Sequence, residues 1–294
     1  MTNIFLQLLI NGIIAGAIYA LVASGFSLIY STNKFIHFAH GGVIALSAYV
    51  LFWLSALIGL NFYLAVFLTI IFSAFLGYLL NKFFYKPFRA KKASPSILLV
   101  SSIALLILLE SIALLLFGAD IKTLDLIKTN RGIEIFGAII TPLQIVIVLV
   151  SVFLFLGLYF LMKKTKIGKA MRAVADNKDV AEILGISAEK IYNWSFVIGS
   201  VIAGVAAILI SLEQNIEPTM GTNLMIKGFT GAIIGGVGSV PGAILGAFLL
   251  GLVENFGIWF LPSGYKDAIA FVLLFAFLLW RPEGILGIKN NHKC

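Results

Sequence analysis

Long apolar stretches alternate with short polar punctuation along this chain. The apolar segments fall at about 4–30, 38–58, 62–84, 95–118, 142–162, 191–212, 225–257 and 266–280. Most exceed the roughly 18 apolar residues that mark a membrane span. Between them lie "STNK", "KPFRAKKASP", "GADIKTLDLIKTNRGIE", "EQNIEPTMGTN" and one much longer polar run, "KKTKIGKAMRAVADNKDVAEILGISAEK", at 163–190. The seventh segment carries "GGVGSVPG" at its centre. Glycine there breaks helices, and proline lacks a backbone donor. Such a break is tolerated at membrane depth only where protein or a water-lined cavity satisfies the freed backbone groups. The pattern predicts an all-α polytopic membrane protein of about eight transmembrane segments. Its seventh is broken into two short helices, near 225–236 and 242–257.

Composition sharpens this. The chain is 61% hydrophobic and only 12% charged, with a mean hydropathy of +1.06. A soluble globular protein carries about a quarter charged residues. The only cysteine is Cys294, which excludes a disulfide framework and a cysteine metal site. The first lysine is Lys34, so the N-terminus lacks a basic n-region, and its apolar stretch is expected to be retained.

The net charge of +8 reads as orientation, because basic residues gather in inside loops. With 163–190 inside, alternation also puts Lys34, the 82–92 cluster and the C-terminal tail inside. Lys122, Lys128, Arg131 and Lys266 fall outside, and Lys227 lies within the broken segment. The N-terminus is then external and the C-terminus cytoplasmic. A Gly-rich piece opens an apolar helix in both halves, "HFAHGGVIALSAYV" and "GGVGSVPGAILGAFLLG". This suits either an internal repeat or ordinary small-residue packing.

The run at 163–190 holds eleven charged residues. It reads as two short helices. The first runs from about Thr165 to Ala175 with Ile167, Ala170, Met171 and Val174 on one face. The second has Asp176 or Asn177 as N-cap, Asp179 in its first turn and Gly185 at its end. Its apolar face is Val180, Ile183 and Leu184, and Ser187 offers an N-cap for the next span. The stripe suits a protein partner or a lipid-headgroup surface.

"DVAEILG", 179–185, resembles the Glu-Ala-Ala-x-x-x-Gly loop of ABC-importer permeases, with Asp179, Val180, Ala181 and Gly185 in register; the trailing Ile-x-Leu-Pro is absent. More broadly, "NGIIAGAIYALVASGFSLIYSTNKFIHFAHGGVIALSAYV", "GKAMRAVADNKDVAEILGIS" and "GFTGAIIGGVGSVPGAILGAFLLGLVE" look like the LivH-type permease of branched-chain amino acid ABC importers. The resemblance implies a single transmembrane permease domain, 1–294, with a cytoplasmic coupling loop at 163–190. It implies a second related permease subunit, two cytoplasmic ATPase subunits and an external substrate-binding protein as partners, besides membrane lipid. Arg172, Asp176, Asp179, Val180, Ala181, Ile183, Leu184 and Gly185 would face the ATPase. The chain has no GxxxxGK[ST], so its ATPase would be borrowed.

Ionisable residues within spans are functional candidates. Glu110 suits a buried structural hydrogen bond, a gate contact or a partner for a substrate ammonium. Lys227 and Glu254 read as interfacial and snorkelling. His37 and His40, three apart, make too few ligands for a metal site and read as interfacial residues at an inside helix start. Gly41 and Gly42 suggest close packing or an unwound segment. With Gly235, Gly236, Gly238 and Pro241, these residues form the candidate translocation path, whose small apolar lining suits a leucine-like side chain. No cofactor, metal or nucleic acid is expected, and HExxH, GxSxG, Cys–His and paired-carboxylate arrangements are lacking. Rival readings are an ABC permease for sugars, urea or amides, and a proton-driven carrier using Glu110 and the histidines.

Overall fold

The structure, a computed structural model, describes residues 2–124, 132–135 and 137–287. Lys128, Arg131 and Cys294 therefore lie outside the described residues. Helices dominate: α1 (Thr2–Asn33), α2 (Ala39–Phe52), α3 (Phe62–Leu79), α4 (Lys86–Ala90), α5 (Pro95–Phe117), α6 (Pro142–Lys164), α7 (Lys166–Asp176), α8 (Lys178–Ile183), α9 (Ala188–Glu213), α10 (Met220–Gly235), α11 (Val240–Gly257) and α12 (Lys266–Trp280). π-helical turns at Trp53–Leu57 and Leu80–Tyr85 extend α2 and join α3 to α4. One antiparallel hairpin, β1 (Ile133–Ile135) and β2 (Ala138–Ile140), precedes α6.

Local chemistry explains the helix ends. Asn61 Oδ1 accepts from Tyr63 N at 3.0 Å to start α3. Ser94 caps α5, with Pro95 in its first turn, where a missing N–H costs nothing. Ser239 caps α11 with Pro241 just inside. Seven helices are long and apolar enough to cross a membrane among the described residues, so by that measure the count is seven rather than about eight. The difference is α12, which has only 15 residues; the seventh segment is counted through α11, its α10 half having 16. The expected break is present, at 236–239, and α10 starts at Met220, five residues before its expected beginning.

The chain groups into two compact units. One comprises Met1–Ser27, Thr129–Ser151 and Ile226–Cys294; the other comprises Leu28–Lys128 and Val152–Met225. In the second, α2 and α9 form the interior, each with 72% of its span window buried, against 28% for α3 and 33% for α5. The outer helices present large apolar side chains such as Phe67 and Leu115 outward, as lipid contact requires. Helices α3 and α9 cross closely because Gly77 faces Ser200 and Gly204 faces Ser73. Small residues at such crossings let backbones approach in a medium that gives apolar side chains no reason to associate. In the first unit the same device joins α1 to α11, through Gly12, Gly16 and Gly251.

Candidate functional site

The polar run after α6 folds as two capped helices. Thr165 accepts from Gly168 N at 3.0 Å to start α7, whose Met171 and Val174 are buried. Asn177, rather than Asp176, is the cap of α8: its side chain accepts from Val180 N at 3.1 Å. At the other end Gly185 takes φ +83°. Its N–H donates to Glu182 O and that of Ile186 to Ala181 O, at 3.0 and 2.9 Å. This paired closure needs a left-handed residue at Gly185. Ser187 holds the N-cap position of α9 but makes no side-chain capping bond.

Helix α8 leaves its whole apolar stripe uncovered and buries a different residue. Ala181 is buried, while Val180, Ile183 and Leu184 are exposed, Ile183 by 84% and Leu184 by 73%. Arg172, Asp176 and Asp179 are also exposed. A six-residue helix held by a cap at each end, showing branched aliphatics outward, is a rigid apolar knob.

The polar ends of three spans meet beside it. Arg89 Nε and Nη2 donate to the two carboxylate oxygens of Glu189, both at 3.1 Å. Nη2 also donates to Asn81 Oδ1 at 2.8 Å, and Nη1 to Asn33 Oδ1 at 3.4 Å. The end of α1, the end of α4 and the start of α9 therefore share one side of this unit. On another loop pair, Lys122 and Ile216 exchange backbone bonds at 3.0 and 2.8 Å.

Of the candidate path residues, the second unit brings together His37, His40, Gly41, Gly42 and Glu110. The histidines are fully buried, not interfacial, and His37 precedes α2 while His40 lies in it. Their rings nevertheless meet, 6.1 Å apart between centroids. His37 Nδ1 and the Tyr85 hydroxyl share a 2.9 Å hydrogen bond, and Phe196 packs against both rings. Gly41 meets the backbone of Gly221 in α10, and Gly42 meets Leu109, so these glycines serve close packing. Glu110 Oε1 accepts from the backbone N–H and the hydroxyl of Thr222, at 3.0 and 2.7 Å. A carboxylate at the first turn of α10 satisfies an orphan donor and meets the positive end of the helix dipole. That is the structural hydrogen bond among the three roles considered.

The first unit holds Gly235, Gly236, Gly238 and Pro241. Gly236 and Gly238 have φ of +111° and +92°, and α10 and α11 pack through Gly231, Gly235, Gly242 and Gly246. The open carbonyls at the end of α10 find donors that sequence reasoning missed. Ile285 N donates to Ile234 O at 2.9 Å and Leu286 N to Gly235 O at 2.8 Å. Lys227 and Glu254 also depart from expectation. Glu254 is fully buried; Lys227 Nζ donates to its Oε2 at 3.3 Å and to Asp267 Oδ1 at 3.1 Å. Tyr19 OH donates to the same Glu254 oxygen at 2.9 Å. Lysine can reach both carboxylates because its long stem bends while its three donors rotate.

Seven long apolar helices with closely packed glycine crossings define a multi-pass membrane protein. Residues 8–278 match the family described as branched-chain amino acid transport system / permease component, and the chain belongs to that family. It is 36% identical to the high-affinity branched-chain amino acid transport system permease protein BraD of Pseudomonas aeruginosa, over 98% of both chains. It is 34% identical to the LivH permease protein of Escherichia coli, covering 98% of this chain and 97% of that one. The probable LivH permease of Methanocaldococcus jannaschii is 30% identical, over 96% and 92%.

Proposed function

We propose that the chain is the permease subunit of an ATP-driven importer that carries leucine, isoleucine and valine across the cytoplasmic membrane. The relatives named for high-affinity branched-chain amino acid transport, matched end to end, support the substrate class. The observation that carries the mechanism is the exposed apolar face of α8, Val180, Ile183 and Leu184. An apolar face on a capped helix, set among the charges of a polar loop, suits the groove of a protein partner. That partner is one of two cytoplasmic ATPase subunits, with Arg172, Asp176 and Asp179 at the rim of the contact. A second, related permease subunit completes the path, and an external binding protein delivers substrate. The chain acts as a single permease domain and takes no cofactor of its own. Closure of the ATPases moves α8, and the bundle switches between outward and inward access along a path through His37, His40, Gly41, Gly42, Glu110, Gly235, Gly236, Gly238 and Pro241.

Orientation follows the basic residues. The shared side of Asn33, Arg89 and Glu189 supports placing their loops together inside, with the N-terminus outside and the C-terminus cytoplasmic. With Cys294 replaced by serine, Lys92→Cys should be labelled only from the cytoplasm and Asn215→Cys only from outside. Labelling of Asn215→Cys from the cytoplasm would overturn the orientation. Function is tested by uptake of labelled leucine into proteoliposomes holding the full complex. ATP should drive it and a non-hydrolysable analogue should not. Uptake driven by a proton gradient without ATP would make the chain a secondary carrier, and ATP-driven uptake of urea or sugar in its place would change the substrate class.

A further inference from the structure

We propose that the Arg89–Glu189 pair is the joint through which movement of α8, once it has reached α9, passes to the first and third membrane spans; this rests on reading α8 as the element that docks the ATPase.

The linker between α8 and α9 is short and stiff. Only Leu184 to Ser187 separate them, and Ile186 N is bonded back to Ala181 O in α8 at 2.9 Å. A displacement of α8 therefore arrives at the first turn of α9 rather than being absorbed. Glu189 stands in that turn, and its carboxylate is gripped by Nε and Nη2 along one edge of the Arg89 guanidinium, both at 3.1 Å. A planar fork on a carboxylate fixes direction as well as distance. Lysine, a rotating point charge, cannot do this.

Arg89 is itself held from every other side. Its guanidinium lies over the Tyr192 ring, 4.7 Å from the centroid, and its side chain is 12% exposed. Two further donors go to Asn81 and Asn33, and Asn81 continues to Asn193 on α9 at 2.6 Å. So one side chain bonds to the end of α1, to the third span and to α9. The π-helical turn Leu80–Tyr85 lies immediately before α4, the kind of interruption that lets a helix end shift its register. Behind it, Tyr85 bonds His37 at the approach to α2. The linkage thus extends from a surface knob into α9 and, through one bidentate contact, to the third span and the approach to α2.

The arrangement makes Arg89 and Glu189 positioning residues with a distinctive signature. Losing the pair should leave the α8 face intact but separate hydrolysis from transport. The test uses the complete complex in proteoliposomes, with labelled leucine, and compares Arg89→Glu, Glu189→Arg, the double exchange and the milder Glu189→Gln. Each single reversal should recover the ATPases normally in a pull-down and hydrolyse ATP, yet import on the order of tenfold less leucine per ATP, the usual scale of coupling between sites. The double exchange should restore that ratio most of the way. Should a reversal fail to insert, Glu189→Gln carries the same comparison with a smaller loss. Unchanged leucine per ATP in Arg89→Glu would overturn the proposal. So would loss of ATPase recovery, which would make the pair part of the docking surface, or failure of the double exchange to recover. Ile183→Asp serves as the separate control: normal ATPase recovery and uptake in that variant would sink the docking reading itself, whatever the reversals do.

Discussion

Truncating Ile183 measures how much of the α8 face is engaged. Replacing it by alanine removes three carbons, worth about 0.8 kcal/mol each when fully transferred from water. The side chain is 84% exposed in the permease alone, so most of that transfer is still to be made. If the ATPase covers it, Ile183→Ala forfeits about 2 kcal/mol of docking free energy, which is roughly 30-fold in dissociation constant. Leu184, 73% exposed, gives a little under 2 kcal/mol and about 20-fold by the same reasoning. Ile183→Asp should be worse than either, since an unpaired charge in an apolar groove costs several kcal/mol. The permease itself should not notice, because surface substitutions away from special features shift stability by less than about 0.5 kcal/mol. The assay titrates labelled ATPase onto permease in nanodiscs, with thermal unfolding of the permease as the control. Lys178→Ala should leave the affinity within about twofold, as rim charges contribute little to a contact. A dissociation constant for Ile183→Ala within twofold of the parent would show that α8 does not enter an apolar groove.

Three further outcomes follow from the geometry. Gly185→Val forces a β-branched side chain to φ +83° at a cost of about 1–3 kcal/mol, although open space surrounds the position; ATPase recovery should fall, and Gly185→Asn should lose far less, with equal losses contradicting the backbone explanation. Glu110→Ala deletes the acceptor of both Thr222 bonds and should lower the stability of purified protein by about 3–6 kcal/mol, since bonds to a charged group are worth about 1.5–3 each. Glu110→Gln keeps an acceptor oxygen and should retain assembly and uptake; normal assembly with uptake lost in both would make Glu110 a contact in the path. Removing Glu254 alone leaves Lys227 without its buried partner and should cost about 3–5 kcal/mol, whereas Glu254→Gln combined with Lys227→Met should cost less than either change alone. A double variant no better than the singles in thermal unfolding would contradict the pairing.

Much of the architecture is legible in the chain because lipid imposes simple demands. Apolar length locates the spans, Gly-Pro locates the break at 236–239, and an Asn followed by a short stripe and a Gly locates α8. What escapes is whatever depends on partners distant in sequence. Glu110 and Thr222 are 112 residues apart, and nothing local marks Thr222 as a partner. Lys227 and Glu254, met one at a time, look like interfacial side chains, and only the α10–α11 hairpin makes them neighbours. Arg89 is hidden in a basic cluster that serves well to count charge and says nothing of the carboxylate 100 residues on. His37 and His40 are read correctly as lying at a helix start, but their full burial depends on distant residues, Tyr85 and Phe196 against His37 being 48 and more residues on.

The hydrogen bonds from Ile285 and Leu286 to Ile234 and Gly235 give the chain a timetable. Synthesis runs from N- to C-terminus, so each donor emerges 51 residues after its acceptor. At about 5–20 residues per second that is a delay of roughly 3–10 s. For that interval the two carbonyls at the end of α10 lack these partners, in a setting where unmet backbone groups are costly. The hairpin of α10 and α11 can insert early, but its turn is completed only once Ile285 and Leu286 have been made. A chain halted at Trp280 would contain α1 to α12 and still lack the two donors that close its most irregular turn.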